Sequence, residues 1–336
     1  MLFSVDVSSQ FLYAVEGNAN GGTVTVVNSG KMRLPEGTVE DGIVRNHAAF
    51  VMALSKLHAL KNFRSTNMVM TISSSSILSR RLELPPAKPR ELTLMVRNEL
   101  QQVVSDTTDF VYEYSLTGDD AKAKSSINNV WAYAIPKETV DEYYSIFRSV
   151  RFKPVALDTH ANSVEKLFLG ENINGTAVGG KSALFVGIEH DTAEIHLFSE
   201  GQRAFSRLAP VSSEEFRLVV ENAGLGNTES HSLSGLDITA DEIRLDSILS
   251  GAARQYVGQL AEELQKMNQF QLRRNSANPV ACVYLYGSLS EIKGLEDALG
   301  TTTGLPVQTV RSVSKVKAGD INIAEYANAI GALIRL

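Results

Sequence analysis

Residues 183–210, ALFVGIEHDTAEIHLFSEGQRAFSRLAP, read as three strands joined by two tight turns. Ala183–Ile188 is an apolar run, Glu189-His190-Asp191 a polar turn, and Ala193–Phe198 alternates apolar with polar. Ser199-Glu200-Gly201-Gln202 forms a second turn, and Arg203–Ser206 begins a third strand. The start of the chain has the same layout. Leu2–Val7 is apolar, Ser8-Ser9-Gln10 turns, Phe11–Glu16 alternates, and Thr23–Asn28 is strand-like after a Gly/Asn tract. The chain is therefore built from two similar halves, and the residues in the two first turns decide its chemistry.

The bulk composition narrows the class. A chain of 336 residues is long for one core and suits two lobes. With 43% hydrophobic and 21% charged residues it is globular, and its formal net charge of −6, without a Lys/Arg block, argues against nucleic acid as a partner. The single cysteine, Cys282, lies in an apolar strand run and reads as a buried structural thiol, which excludes an internal disulfide and fits a reducing cytosol. The opening MLFSVDVSSQ lacks the basic region and apolar stretch of a signal peptide, and no apolar run approaches the ~20 residues that span a bilayer. No basic amphipathic tail is expected at Ile334-Arg335-Leu336. Direct membrane insertion is not expected.

Taken in order, Asp41–Lys61 reads as a helix capped by Asp41, and Asn67–Ser73 as a strand. After the alternating stretch Ile77–Leu84, Pro85-Pro86-Ala87-Lys88-Pro89 marks a break. A helix (Arg90–Val104), a strand (Phe110–Leu116), a polar turn (Gly118–Ser125), a strand (Ile127–Ala134), a helix from Pro136 to about Val150 and a strand (Phe152–Leu157) follow. With Ile77–Leu84 this is a β-α-β-β-α-β module inserted into the first half. Asp158 is expected to cap the next helix, and Gly170–Gly180 is the candidate hinge. The second hairpin unit, a mostly helical stretch over 211–278, a strand (Ala281–Tyr286), a helix (Leu289–Leu299), a strand (Val307–Val310) and a last helix (Asn322–Leu333) complete the chain. The expected division is a lobe-one core of 1–76, 158–180 and 316–336, the inserted module 77–157, a lobe-two core of 181–210 and 279–315, and a helical subdomain 211–278.

Two lobes that each open on a hairpin unit resemble the actin/Hsp70/sugar-kinase superfamily, and the inserted module resembles the extra subdomain of FtsA and of the type IV pilus assembly protein PilM. RRLELPPAKPRELTLMVRNELQQVV (80–104), FSEGQRAFSRLAP (198–210), VYLYGSLSEIKGLEDALGTTTGLPVQTV (283–310) and YANAIGALIRL (326–336) are similar to PilM segments, so the likeness covers essentially the whole chain. The resemblance implies an α/β, actin-like (ribonuclease H-like) two-lobe fold with the inserted β-α-β-β-α-β subdomain in the first lobe. It also implies a cytoplasmic protein that binds the N-terminal peptide of a PilN-like bitopic membrane protein, contacts motor and platform proteins of the pilus machine, and in some members holds ATP between the lobes.

A phosphate-cradling hairpin needs Gly for close backbone approach, hydroxyl or amide donors, and a carboxylate to organise Mg²⁺. Where the family pattern is Asp-Ile-Gly-Ser/Thr, the first unit reads Asp6-Val7-Ser8-Ser9-Gln10: the acid and the donors Ser9 and Gln10 remain, while Ser8 replaces Gly. The second unit reads Gly187-Ile188-Glu189-His190, with the acid missing at Gly187 and a carboxylate, Glu189, in place of the glycine. Like charges 4 Å apart repel by about 1 kcal/mol in water and by more in a partly dry cleft. A protonated His190 would offset part of this, but an ordinary imidazole pKa of about 6.5 leaves it mostly neutral at pH 7. The adenosine loop reads Gly287-Ser288-Leu289-Ser290, with Leu289 placed to crowd the base. On this alignment Gly187→Asp with Glu189→Gly would restore binding.

These departures favour a non-catalytic scaffold with a degenerate nucleotide cleft and no bound cofactor. The alternatives are an ATP/Mg-binding switch or weak ATPase of the same machine, and an FtsA-like filament-forming protein. By the same resemblance, Leu82, Leu84, Val103, Val104 and Phe110 are expected to wall the partner-peptide groove, and the protein is expected on the cytoplasmic face of the membrane, held there through its partner. Glu189, His190, Asp191, Glu194 and His196 include metal-ligating types, but Glu194 and His196 are read instead as the solvent side of an amphipathic strand.

Overall fold

Two sheets with the same strand order organise the computed structural model, which describes residues 1–104, 109–116, 127–225 and 233–335. In lobe one, β1 (Leu2–Val7), β2 (Phe11–Asn20) and β3 (Thr23–Arg33) form an antiparallel meander. A small hairpin, β4 (Val39–Glu40) and β5 (Ile43–Val44), then leads into α1 (His47–Leu60). Strands β6 (Asn67–Ile72) and β10 (Lys153–Thr159) extend the sheet parallel to β1. Between them lies the module: β7 (Leu78–Leu84), α2 (Pro89–Gln101), β8 (Phe110–Leu116), β9 (Asn128–Pro136) and α3 (Lys137–Ser149). After β10 come α4 (His160–Phe168) and the hairpin β11 (Asn172–Ile173)/β12 (Thr176–Ala177).

Lobe two repeats the plan with β13 (Ser182–Ile188), β14 (Ala193–Ser199) and β15 (Gln202–Ala209). Helices α5 (Glu214–Asn222), α6 (Asp241–Arg244) and α7 (Ser247–Arg274) precede β16 (Val280–Tyr286), α8 (Leu295–Thr303) and β17 (Val307–Thr309). Strand β18 (Val316–Lys317) and α9 (Ala327–Ala332) then return to lobe one. The orders β10-β6-β1-β2-β3 and β17-β16-β13-β14-β15 are the same, and lobe one adds β18 beyond β3. The duplication legible in the two hairpins thus extends to both sheets. Glu200 and Gly201 both take positive φ in the β14–β15 turn, the primed geometry that a two-residue hairpin loop requires.

The core is continuous across the lobes. Phe11, Tyr13 and Val15 of the first sheet and Phe185, Phe198 and Tyr286 of the second enclose α4 and α9 in one apolar cluster. Every residue of α9 is buried, and at its crossing with α4 a Cβ on Gly331 would lie 2.1 Å from the Ser163 carbonyl oxygen. Helices α1 and α3 cover the other face of lobe one, and α5–α8 the other face of lobe two.

Several expectations shift. The first helix begins at His47 with Asn46 as its cap, because Asp41-Gly42 turns the β4–β5 hairpin and the Asp41 carboxylate holds the Ser75 N–H. Strand 152–157 does not close the module. It joins the lobe-one sheet beside β6, and the module's own sheet is three-stranded, β7-β9-β8. Tyr143, Ile146 and Phe147 of α3 belong to the lobe-one core, since that half-apolar helix faces two cores at once. Thr159 rather than Asp158 caps α4, as Asp158 is drawn to Lys166 at 2.5 Å. Leu289 precedes the helix expected there, which starts at Leu295. Cys282 is half-buried. The turn 118–125 lies outside the described residues.

Because the α4–α9 crossing has no room for a side chain, Gly331→Ala is expected to destabilise the fold by about 1–3 kcal/mol, the usual cost of overpacking. Urea unfolding at neutral pH measures this, and an unchanged midpoint would contradict so close an approach.

Candidate functional site: the interlobe cleft

The matched strand orders bring the two hairpin turns face to face. Ser9 Oγ donates to Asp191 Oδ2 across the gap at 2.5 Å, so the first turn of one lobe is hydrogen-bonded to that of the other. Below this contact, Asp6 near the end of β1 and Glu194 on β14 approach from opposite lobes, with His160 at the first position of α4 between them. Its Nε2 lies 2.7 Å from Asp6 Oδ1 and its Nδ1 2.5 Å from Glu194 Oε1. Asn328 of α9 donates to the second Asp6 oxygen at 3.2 Å. All four side chains are buried.

The electrostatics follow from this geometry. Burial alone would push His160 down, but the Glu194 and Asp6 carboxylates outweigh it and hold the imidazolium well above its ordinary range. Glu194 is kept below the usual carboxylate range, its burial outweighed by His160. Farther along β14, burial pushes His196 down to about 3, leaving a neutral ring that meets the Tyr286 hydroxyl at 3.1 Å and Ser206 Oγ at 2.9 Å.

Glu189, at the start of the second turn, bends inward. Ser288 donates to it from its N–H (3.2 Å) and its hydroxyl (2.6 Å). Burial first and the nearby Asp6 second push its carboxyl up to about 8, despite those bonds. Gly287, at φ +90°, has no space for a Cβ, which would fall 2.8 Å from Glu189 Oε1.

The cleft therefore gathers Asp6, Ser8, Ser9, Glu189 and Ser288, while Gln10 borders an adjoining cavity of about 440 Å³ at the mouth, which shares Ser9 and Asp191 with the cleft and also carries Arg33 and Arg217. The space left between the turns, bordered by Ser8, Ser9, His160, Glu189 and Glu194, is about 60 Å³. Small-molecule sites measure roughly 300–1,000 Å³.

Two readings of the turns are corrected, those of Leu289 and Gly187, and the neutrality of His190 gains a physical cause. Leu289 does not face the cleft; it is fully buried in the lobe-two core, its N–H bonded to the Ile188 carbonyl. His190 cannot supply a charge, because burial pushes it down to about 4 and its ring stacks on Phe11. Gly187 is filled from outside, since a Cβ there would lie 2.7–2.8 Å from the Tyr286 ring, so an aspartate at 187 collides with Tyr286. The carboxylate absent at 187 stands instead on the paired residue across the strands, Glu194.

Glu194 and His196 are not solvent-side residues. Both are buried at the lobe junction, because the strand that carries them is covered on both faces. No group of three His, Cys, Asp or Glu among the described residues is arranged to hold a metal ion.

A second contact fastens the module to lobe two. Arg203 of β15 is fully buried. Its guanidinium lies 4.1 Å over the Trp131 ring and donates to the Tyr133 hydroxyl at 2.6 Å and to Glu165 of α4 at 2.8 Å. The expected groove walls divide. Leu82 and Leu84 are core of the module, packed with Leu92, Val96 and Val130, while Val104 and Phe110 are partly buried against that core and Val103 is exposed. A cavity of about 320 Å³ lies instead where lobe one, the module and β15 meet, lined by the apolar Ile72, Ile77, Leu78 and Leu208, by Tyr133, and by polar groups that include Ser73, Ser75, His160, Glu194 and Arg207.

Two duplicated lobes around a central cleft, with a module inserted after β6, define the class: an actin-like ATPase fold. The family described as type IV pilus assembly protein PilM matches residues 4–326, and the chain belongs to that family. Among solved structures, a PilM-PilN type IV pilus biogenesis complex aligns with a TM-score of 0.77 at 19% identity, covering 99% of this chain and 97% of that one. The ethanolamine utilization protein EutJ from Carboxydothermus hydrogenoformans aligns at 0.57 with 11% identity, covering 98% and 88%. MreB 5 of Spiroplasma citri bound to AMPPNP aligns at 0.50 with 10% identity, covering 98% and 94%. No curated protein matches the sequence.

Glu189 fixes a pH dependence. A carboxyl raised in the folded state stabilises the fold while protonated, and that contribution is lost as pH climbs from the ordinary carboxyl range to about 8. The bridging imidazolium has the same sign, its contribution disappearing as pH rises through its raised value. Glu189→Gln keeps an acceptor for the Ser288 N–H and removes the charge, so its gain in melting temperature over the parent is expected to grow steadily between pH 5 and 8.5. Parallel melting curves over that range would refute the assignment.

Proposed function

We propose that the protein is a non-catalytic scaffold of a type IV pilus assembly machine, held at the cytoplasmic face of the membrane by the N-terminal peptide of a PilN-like membrane protein. The observation that carries the scaffold reading is the closed cleft. Where a triphosphate and its Mg²⁺ would sit, Asp6, His160 and Glu194 form a buried bridge and Glu189 fills the turn, leaving about 60 Å³. A nucleotide would have to displace these groups and place its charge beside the carboxylates of Glu194 and Asp191. Membership of the PilM family and the fold shared with a PilM-PilN complex support a PilN-like partner.

For the peptide, the cavity at Ile72, Ile77, Leu78 and Tyr133 fits better than the walls first expected. It joins the lobe-one core to the module, and among the described residues β7 is an edge strand of the module's sheet, the kind of edge an extended chain can join. An ATP-gated switch is the second reading, favoured by the fold shared with a nucleotide-bound MreB and by the surviving Asp6 and Ser9.

Calorimetric titration with Mg-ATP is expected to show no binding tighter than about 100 μM, a standard free energy of roughly −5.5 kcal/mol. Tighter binding would replace the scaffold with the switch. Fluorescence anisotropy with a labelled partner N-terminal peptide is expected to show at least about a tenfold loss, about 1.4 kcal/mol, for Leu78→Asp and no loss for the exposed Val103→Ser. The reverse pattern would return the groove to the end of α2.

A further inference from the structure

We propose that the end of lobe one remote from the hairpin turns adsorbs directly onto an anionic lipid surface, as a contact separate from the partner peptide. Strands β1, β6 and β10 run parallel, so their first residues share one end of the sheet, opposite the Ser8–Gln10 turn. The loops that enter these strands are tied together there. The Ser65 hydroxyl donates to the Met1 carbonyl, the Lys153 N–H donates to the Thr66 carbonyl at 2.8 Å, and the His58 ring packs 4.7 Å from Phe152.

The charge at this end is predominantly positive, and the nearest carboxylate on α3, Glu142, is paired with His47, whose ring also contacts Ser149 beside Arg148. No Asp or Glu occurs between Asp41 and Glu83, or from Tyr143 to Leu157, in a chain whose formal net charge is −6. Those stretches place Lys56, Lys61, Arg64, Arg148, Arg151 and Lys153 on the surface, all exposed and none in an ion pair among the described residues. Arg148 lies over the Tyr144 ring and the Lys61 stem covers Gly30, which leaves both charged heads in water. Glu16, the carboxylate that reaches this loop, is buried and occupied by the N–H groups of Arg64 and Ser65.

Apolar side chains stand among the cations. Met52 and Leu60 lie on the same exposed face of α1 as Lys56, at four-residue spacing, with 69% and 62% exposure, and Val155 follows Lys153 at 40%. Cations mixed with a few protruding aliphatic groups fit an anionic bilayer, where the charges meet headgroups and the aliphatic groups sink between them. The protruding aliphatic groups favour a bilayer over a folded acidic partner, which would pair with the cations alone. The acidic remainder of the surface does not cancel the attraction, because charges farther than about 8 Å are screened at physiological salt.

Sedimentation with vesicles tests this on the full chain. Vesicles of phosphatidylcholine with about 30% phosphatidylglycerol are expected to bind the protein at about 0.1 M salt and to release it at about 0.5 M, while pure phosphatidylcholine does not bind it. Each Lys or Arg at an anionic surface contributes roughly fivefold in partitioning, so Arg64→Glu/Arg151→Glu/Lys153→Glu should lose more than about tenfold. The control Arg273→Glu/Arg274→Glu/Lys293→Glu, in lobe two, should bind anionic vesicles within about twofold of the parent, since its charges lie outside the patch. Equal loss in both triple variants would overturn the patch in favour of net charge. Absence of binding to anionic vesicles would overturn the proposal, and poly-glutamate binding at the patch without vesicle binding would assign it to an acidic protein. Circular dichroism melts of the variants separate lost binding from lost fold. If the reversed triple does not fold, the charge-neutral Arg64→Gln/Arg151→Gln/Lys153→Gln takes its place, with a loss of binding supporting the patch and parent-like binding overturning it.

Discussion

The His160 imidazolium held between Asp6 and Glu194 is the constraint on which the arrangement of the two lobes depends. Each carboxylate comes from a different sheet, and both are buried, so neither can be left unpaired without a large penalty. A pair of this kind adds little net stability over a well-packed apolar substitute, but it strongly favours one geometry, because a shift of an ångström exposes charge to a dry interior. His160 begins α4, whose far side packs on α9, so the bridge also fixes the helices that fill the space between the sheets.

From that bridge a continuous set of polar contacts runs to the inserted module. Glu194 lies beside His196, which meets Ser206. Ser206 receives Arg203, and Arg203 holds Tyr133 and stacks on Trp131. The module is thereby attached to lobe two through a buried guanidinium, although its chain connections are all to lobe one. Arg suits this place because its planar head stacks on the indole while its five donors satisfy three partners. The cavity at Leu78 and Tyr133 borders this set on one side and His160 on the other, so a ligand there would touch the elements that hold the lobes closed.

The second hairpin binds its own polar groups. Position 187 has no room for a side chain because Tyr286 occupies the space beside it, and a carboxylate stands on its cross-strand partner, Glu194. Glu189 turns inward to Ser288, away from solvent. These contacts support one another, as the Tyr286 hydroxyl needs His196, His196 adjoins Glu194, and Glu194 needs His160. Removing one or two of them would leave buried polar groups unmatched.

The sequence by itself determined the fold. Two hairpin units with period-two alternation, a proline break and a helix-strand-strand-helix module made the duplicated lobes legible, since apolar periodicity and turn chemistry are local properties. It also marked Ser8, Gly187 and Glu189 as departures from the family's phosphate-turn pattern. Only the tertiary structure decided what those departures do. Glu194 and His196 read as the wet side of a strand because alternation cannot tell water from a second lobe on the far face, and His160 and Arg203 carried no signal because their carboxylate partners lie 34 to 154 residues away in the chain. Leu82 and Leu84 read equally well as groove or core, and the three-stranded sheet packed on α2 made them core. Periodicity fixes which face of an element is apolar, while pairing of buried charge depends on distances that exist only once the chain has closed on itself.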